Sequence, residues 1–255
     1  MITSTTLGKK TKIKWWAVLL WLLVWQIASM NIGQEILLVS PVRVVQRLFQ
    51  LVQEVSFWNS IAYSFTKIVR GFILALVLGI LMGGLSARFS IIRNILALPV
   101  AVVKATPVAS FIILALVWID SNNLSVFISF LMVFPIVYTN IITGIESTDK
   151  KLLEMAKVFG IPKIRRIRYI YFSQVMPFLR SSCLLGLGLC WKAGIAAEVI
   201  GIPKGSIGEK LYDAKIYLET PDLFAWTVVI IFISIVFEKL FMWLLDRIMR
   251  FAERM

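Results

Sequence analysis

The chain has no histidine, only two cysteines, and few charged side chains, with Asp, Glu, Lys and Arg making up 16% of its 255 residues. Each scarcity excludes something. Without histidine there is no imidazole acid or base, and most zinc sites are out of reach. Cys183 and Cys190 fall in one apolar run. Seven residues apart on a helix they cannot bridge, so they are expected as buried small hydrophobes. No GxxxxGK[ST] phosphate loop occurs, so the chain carries no such nucleotide site. Acid is scarcer than base, 14 residues against 27 for a net charge of +13. The bases sit beside the ends of apolar runs, as expected when they set membrane topology, and this distribution argues against a nucleic-acid partner.

What is abundant is apolar: 59% of residues are hydrophobic and the mean hydropathy is +0.86. So few polar residues cannot cover a core in water, which leaves an all-α polytopic membrane protein. Six apolar segments, about 15–32, 60–86, 94–118, 123–144, 178–200 and 223–246, are each long enough to span. Residues 1–40 read as a basic N-terminus (Lys9, Lys10, Lys12, Lys14) followed by a retained signal-anchor helix. Its tryptophans and the lack of a small-x-small site argue against a cleaved leader. Residues 41–255 form the transmembrane domain. Within it, Pro41 to Phe57 alternates Val42, Val45, Leu48, Phe49 and Val52 with Arg43, Gln46, Arg47 and Gln50, which predicts an amphipathic helix along the outer membrane face. Counting Lys and Arg in the loops puts both termini in the cytosol. Gly71, Gly79, Gly83 and Gly84, and later Gly186, Gly188, Ala193, Ala196 and Ala197, mark close helix approaches.

Between the fourth and fifth apolar runs lies a polar loop, 145–177, whose stretch Glu154 to Pro177 reads EMAKVFGIPKIRRIRYIYFSQVMP. Ser147 or Asp149 caps a helix with an acidic first turn that runs to about Phe159. Gly160 supplies a left-handed residue after it, and Pro162 opens the first turn of a second, basic helix entering the fifth span. A basic loop resting on anionic lipid explains the arginines but not the apolar turn of Ala156, Val158 and Phe159. A DNA-reading helix-turn-helix is a poor fit with both ends tied to a bilayer. A docking knob for a cytosolic protein accounts for both halves.

The loop resembles the coupling motif of ABC importer permeases: Glu-x-Ala, three residues, Gly, and downstream Ile-x-Leu-Pro. Glu154, Ala156 and Gly160 match, as does Ile170, ten residues after the glycine. Phe172 stands for the leucine and Ser173 for the proline, and Pro177 matches a second proline. The stretch Cys190 to Glu198, CWKAGIAAE, is similar to the A-W-K…A-A-E of permeases for nitrate, sulfonate, taurine and related compounds. Gly205 to Gly208, Leu211, Arg70-Gly71-Phe72, Pro99 and Pro107 fit the same branch. The resemblance implies a type I importer with a six-helix permease bundle and a cytosolic coupling helix. Its expected partners are a second permease copy as a homodimer, two cytosolic ATPases that bind the ATP and magnesium, and an extracytoplasmic substrate-binding protein, all at a bacterial inner membrane. This chain is then a transport subunit and not an enzyme.

Glu154, Ala156, Phe159, Gly160 and Pro162 are the expected ATPase-coupling residues. Charges inside spans are costly, so Lys104, Lys192 and Glu198 are the candidate pathway residues for a small anionic solute. An interhelical ion pair or a snorkelling lysine is the competing account of the same residues. Glu238 and Lys239 read as interfacial anchors. Trp118, Asp120, Ser121 and Asn122 form a short outer turn. The alternatives are import of another small organic solute such as a vitamin precursor, or a stand-alone channel or membrane enzyme. The last would need clustered acids or histidines that the chain lacks.

Overall fold

The computed structural model describes residues 15–254, and the N-terminal lysines 9, 10, 12 and 14 lie outside the described residues. In chain order the helices are α1 (Trp15–Ile32), α2 (Pro41–Leu51), α3 (Val55–Arg88), α4 (Ser90–Ala105), α5 (Val108–Ala115), α6 (Ser121–Glu146), α7 (Lys150–Val158), α8 (Lys163–Arg166), α9 (Phe172–Gly201), α10 (Ile207–Ile216) and α11 (Thr220–Arg254). A π-helical turn, Ile167–Tyr171, joins α8 to α9 into one run from Lys163 to Gly201. Among the described residues five helical runs are long and apolar enough to cross a membrane, and the bent pair α4–α5 is a sixth crossing if it counts as one. The protein is an all-α polytopic membrane bundle. Its two ends are named below by the short helices α7 and α10 that they carry.

Helices α3, α6 and α9 form the centre, and small residues set how closely they approach. Gly71, Ala75, Gly79 and Gly83 recur every fourth position on α3, all buried. A Cβ on Gly79 would fall 2.7 Å from Val137 of α6, and one on Gly83 would fall 2.9 Å from Ile141. In lipid, where apolar contact alone does not drive association, such close approach gains dispersion energy along the whole seam. Helix α9 closes on the pair through Gly194, where a Cβ would meet Ile68 and Ser129 at 2.7 Å. The Ser129 hydroxyl also donates to the Cys190 carbonyl at 3.2 Å. Ile68, Phe72, Val133, Val137 and Leu187 fill the space between. Helix α11 packs on this core through Phe237, whose ring stands edge-on to Phe65 at 5.3 Å. Helix α1 stands apart. Among its residues only Ser29 is buried, and it leans on the rest through α2 and a Trp25–Phe224 ring contact at 5.5 Å.

The third apolar segment departs from a single straight span. The chain breaks at Thr106-Pro107, and the direction turns by 109° between α4 and α5. Proline at 107 cannot donate into a continuing ladder, and it pushes Thr106 into an extended conformation, so α4 must stop there. The Pro107 carbonyl then accepts from Ser110 and Phe111 as α5 begins. The amphipathic helix also ends earlier than the pattern suggests, at Leu51 rather than Phe57. Its Val44 and Leu51 turn into the bundle, while Val42, Val45, Phe49 and Val52 stay exposed. Cys183 and Cys190 are free and buried, as expected.

Candidate functional site

The knob at the α7 end is built by local chemistry. Asp149 is the N-cap, its Oδ1 accepting from the Lys151 amide at 2.8 Å. The expected acidic first turn is absent, for that turn is Lys150-Lys151-Leu152, and the anion facing the helix dipole is the cap itself. At the other end Gly160 takes φ +63. The Gly160 amide donates to the Lys157 carbonyl at 3.1 Å and the Ile161 amide to Ala156 at 2.9 Å, the two bonds of a Schellman turn. Pro162 lies one position earlier than expected, as the N-cap of α8 rather than in its first turn. Arg166 Nε clamps the turn by donating to the Ile161 carbonyl at 2.7 Å.

This turn displays an apolar tip. Val158 is 84% exposed, Phe159 75% and Ile164 81%, with Lys157, Lys163 and Arg165 around them. Glu154 is exposed beside them, and no Cβ placed on Gly160 would meet any atom within 4 Å. Ala156 is the exception. It is 0% exposed, buried against its own chain, so it shapes the turn and does not take part in a gripping surface. Where the motif proline is replaced by Ser173 the helix simply continues, and the irregularity sits just ahead of it as the π-helical turn.

The three charged span residues are not brought together. Lys104 occupies the last turn of α4, where the helix dipole favours a cation, and its Nζ donates to Thr139 Oγ1 at 3.3 Å. Lys192 is exposed on α9, beside Cys190, which bonds Ser129. Ser129 and Thr139 are ten residues apart on α6, so the two lysines lie at depths about 15 Å apart. Glu198 is 0% exposed and lines no open surface. It accepts from Ser64 Oγ at 2.6 Å. Its expected place beside a path is therefore replaced by an interior tie, because burial this complete is tolerable only for a carboxyl that is hydrogen-bonded.

Two further cations escaped the sequence reading. Lys67 and Arg70 lie three residues apart on α3, towards the α10 end, with Lys67 Nζ donating to Asn123 Oδ1 at 3.1 Å. In the sequence Arg70 stands out only as part of a motif, and Lys67 not at all. Their i, i+3 spacing inside an apolar run was the available signal. Glu238 and Lys239, expected as interfacial anchors, lie eight and seven residues from Asp246 on α11 towards the middle of that helix, about 12 and 10 Å deeper than that residue.

The fold is a membrane bundle with an exposed helix–turn–helix knob between two of its spans. The family whose pattern matches residues 75–253 is described as the binding-protein-dependent transport system inner membrane component. The chain belongs to this family, and it is a permease subunit of an ABC importer. It is 26% identical over 220 residues to a probable ABC transporter permease protein of Brucella abortus (strain 2308), covering 86% of this chain and 88% of the relative. It is 23% identical to the taurine transport system permease protein TauC of Escherichia coli (strain K12), over 84% of this chain and 80% of that one. Against the nitrate import permease protein NrtB of Synechocystis the figures are 25% identity, 93% and 86%. A crystal structure of an amino acid ABC transporter with histidines shares the fold at a TM-score of 0.52 and 20% identity, covering 77% of this chain and 93% of that chain.

Proposed function

We propose that this permease forms the translocation path for a small anionic solute of the nitrate, sulfonate or taurine kind, and that Glu154 to Pro162 couples it to a cytosolic ATPase. The observation that carries the coupling role is the exposed apolar tip of Val158, Phe159 and Ile164 on a Schellman turn fixed at both ends. An exposed apolar tip on a polar loop is what a protein groove would cover. The excess of Lys and Arg at the α7 end supports a cytosolic position for that end and for both termini. ATP and magnesium then belong to the ATPase, whose motion reaches the spans through the knob as rigid-body rocking. The importer family supplies the external binding protein, and a second copy of this chain completes the path. The anionic substrate class rests on Lys67, Arg70, Lys104 and Lys192, four cations in apolar helices with no salt bridge among the described residues. Cations at such depths face water or protein rather than lipid.

Gly160→Arg tests the coupling. The substitution puts a bulky side chain at φ +63 on the tip, so membrane insertion should persist while ATPase co-purification and uptake are lost. An ATPase that still co-purifies with the variant would refute the docking role.

A further inference from the structure

The N-terminus of α10 is plugged into two other spans. Its first three amides are all satisfied, two of them from other helices. Ile207 donates to Ser64 Oγ of α3 at 2.9 Å, Gly208 to Glu198 Oε2 of α9 at 3.4 Å, and Glu209 to the cap, Ser206 Oγ, at 2.9 Å. Ser64 has a single hydroxyl hydrogen. Because its oxygen accepts from Ile207, that hydrogen is free for Glu198, which it meets at 2.6 Å. Ser64, Glu198, Ser206 and Ile207 are all 0% exposed. The fit is close, for a Cβ on Gly208 would overlap both the backbone and the Cβ of Glu198. The link from α9 into this junction passes through Ile202 at φ +47 and Gly205 at φ +78. Ile202 is a β-branched residue in the left-handed region, a conformation held only when its surroundings impose it.

From this geometry we infer that Glu198 is a positioning residue that, through Ser64, latches α10 to α3 and α9, so that the three move as one body at the α10 end. Its carboxyl touches both the hydroxyl from α3 and an amide of α10. What the latch needs from residue 198 is an acceptor at that point rather than a charge. On the proposed import function, this body forms the outer mouth, and loosening it uncouples that mouth from the rocking of the bundle.

The experiment places a reporter in α10 away from the latch. Ala214 is 2% exposed, and Ala214→Cys is a small step in volume. Native Cys183, buried and free, reports on the bundle as a whole. Membranes carrying the full permease are treated with a maleimide, and labelling at each position is read by mass spectrometry. With Glu198→Ala added, position 214 should label roughly tenfold faster, the scale of leaving one buried donor without its acceptor, while Cys183 stays silent. Glu198→Gln retains an amide oxygen that accepts the same two bonds, and should label like the parent. Ser64→Ala removes only the bridging hydroxyl and should follow the alanine variant, which keeps the test open if Glu198→Ala fails to insert. The latch is overturned if position 214 stays protected in both alanine variants, or if Cys183 labels together with it. Fast labelling in Glu198→Gln overturns the acceptor role. Labelling does not depend on transport, so a chain that latches as described but imports no anion would refute the proposed substrate and leave the latch standing.

Discussion

Arg47 of α2 and Asp222 of α11 form a two-point ion pair across the sequence, Nε to Oδ1 and Nη2 to Oδ2, the latter at 2.9 Å. Its counterpart at the other end of α11 is Arg180 with Asp246, Nε to Oδ1 at 2.7 Å and Nη2 to Oδ2 at 3.2 Å. Asp222 and Asp246 are 24 residues apart, about 36 Å of helix, slightly more than a hydrocarbon core. The last span is therefore clamped by an arginine fork on either side of the apolar layer, to α2 at one end and to α9 at the other.

The first prediction concerns that clamp. The Asp222 hydrogen bond, with its charge, holds the Arg47 guanidinium above its ordinary range, so the pair keeps its cation at every working pH. Both partners are largely shielded, and the fork geometry is better than that of a typical surface pair. Arg47→Ala and Asp222→Ala should each cost about 1 to 2 kcal/mol in the detergent-purified protein. The double variant should cost clearly less than the sum, the signature of one shared interaction in a denaturation cycle. Strict additivity would mean the fork contributes nothing.

The second prediction separates two neighbouring glycines that look alike in sequence. Gly83 faces Ile141 with no room for a side chain, whereas Gly84 has nothing within 4 Å of a built Cβ. Gly83→Val should lower the thermal midpoint or the yield of folded protein, an overpacking cost of about 1 to 3 kcal/mol. Gly84→Val should leave both near the parent's. Equal effects would show that α3 and α6 do not meet along this seam.

That pair of glycines shows where the sequence was legible. The spans were readable because twenty apolar residues in a row have few other uses, and α1 runs over Trp15–Ile32 as expected. The knob was readable because an N-cap, a glycine and a proline at set spacings are chemistry local to one segment. The break at Pro107 was only half visible, since a missing amide announces a weakened ladder but neighbouring packing sets the angle. The burial of Ala156 and Glu198 was not visible for a related reason. A residue type in a motif says what chemistry is present, while burial depends on elements far away in the chain: Ser64 lies 134 residues from Glu198. The replaced motif proline, Ser173, proved structurally quiet, because the π-helical turn beside it supplies the irregularity.

The third prediction tests the tip of the knob without touching its fold. Val158 and Phe159 are so exposed that truncating them removes almost no packing within this chain. Phe159→Ala should leave insertion and thermal stability unchanged, yet weaken ATPase binding by roughly tenfold or more, as a buried aromatic anchor at an interface does. Ala156→Leu should behave in the opposite way, unsettling the turn because its site is already filled. Unaltered ATPase affinity in Phe159→Ala would move the docking surface elsewhere on the loop.

The last prediction concerns the lysines. Were Lys104 and Lys192 two walls of one binding site, removing either would expose the other to the same lost ligand, and their effects would be strongly coupled. They lie instead about 15 Å apart in depth, so on the proposed path a solute a few ångströms across would meet them in succession. Residues this far apart with no shared partner act independently on a free energy. Lys104→Gln and Lys192→Gln should each lower anion uptake, and in the double variant the two factors should multiply. Lys104→Gln carries a second cost, since it removes the cation at the C-terminal end of α4, worth roughly 0.3 to 1 kcal/mol to that helix. Lys104→Arg keeps that charge and should restore stability fully, while its larger head displaces the bond to Thr139 and leaves uptake impaired. Uptake measured with a labelled anion, alongside a thermal midpoint for each variant, separates the two effects. A double variant no worse than the poorer single one would place both lysines at one site after all.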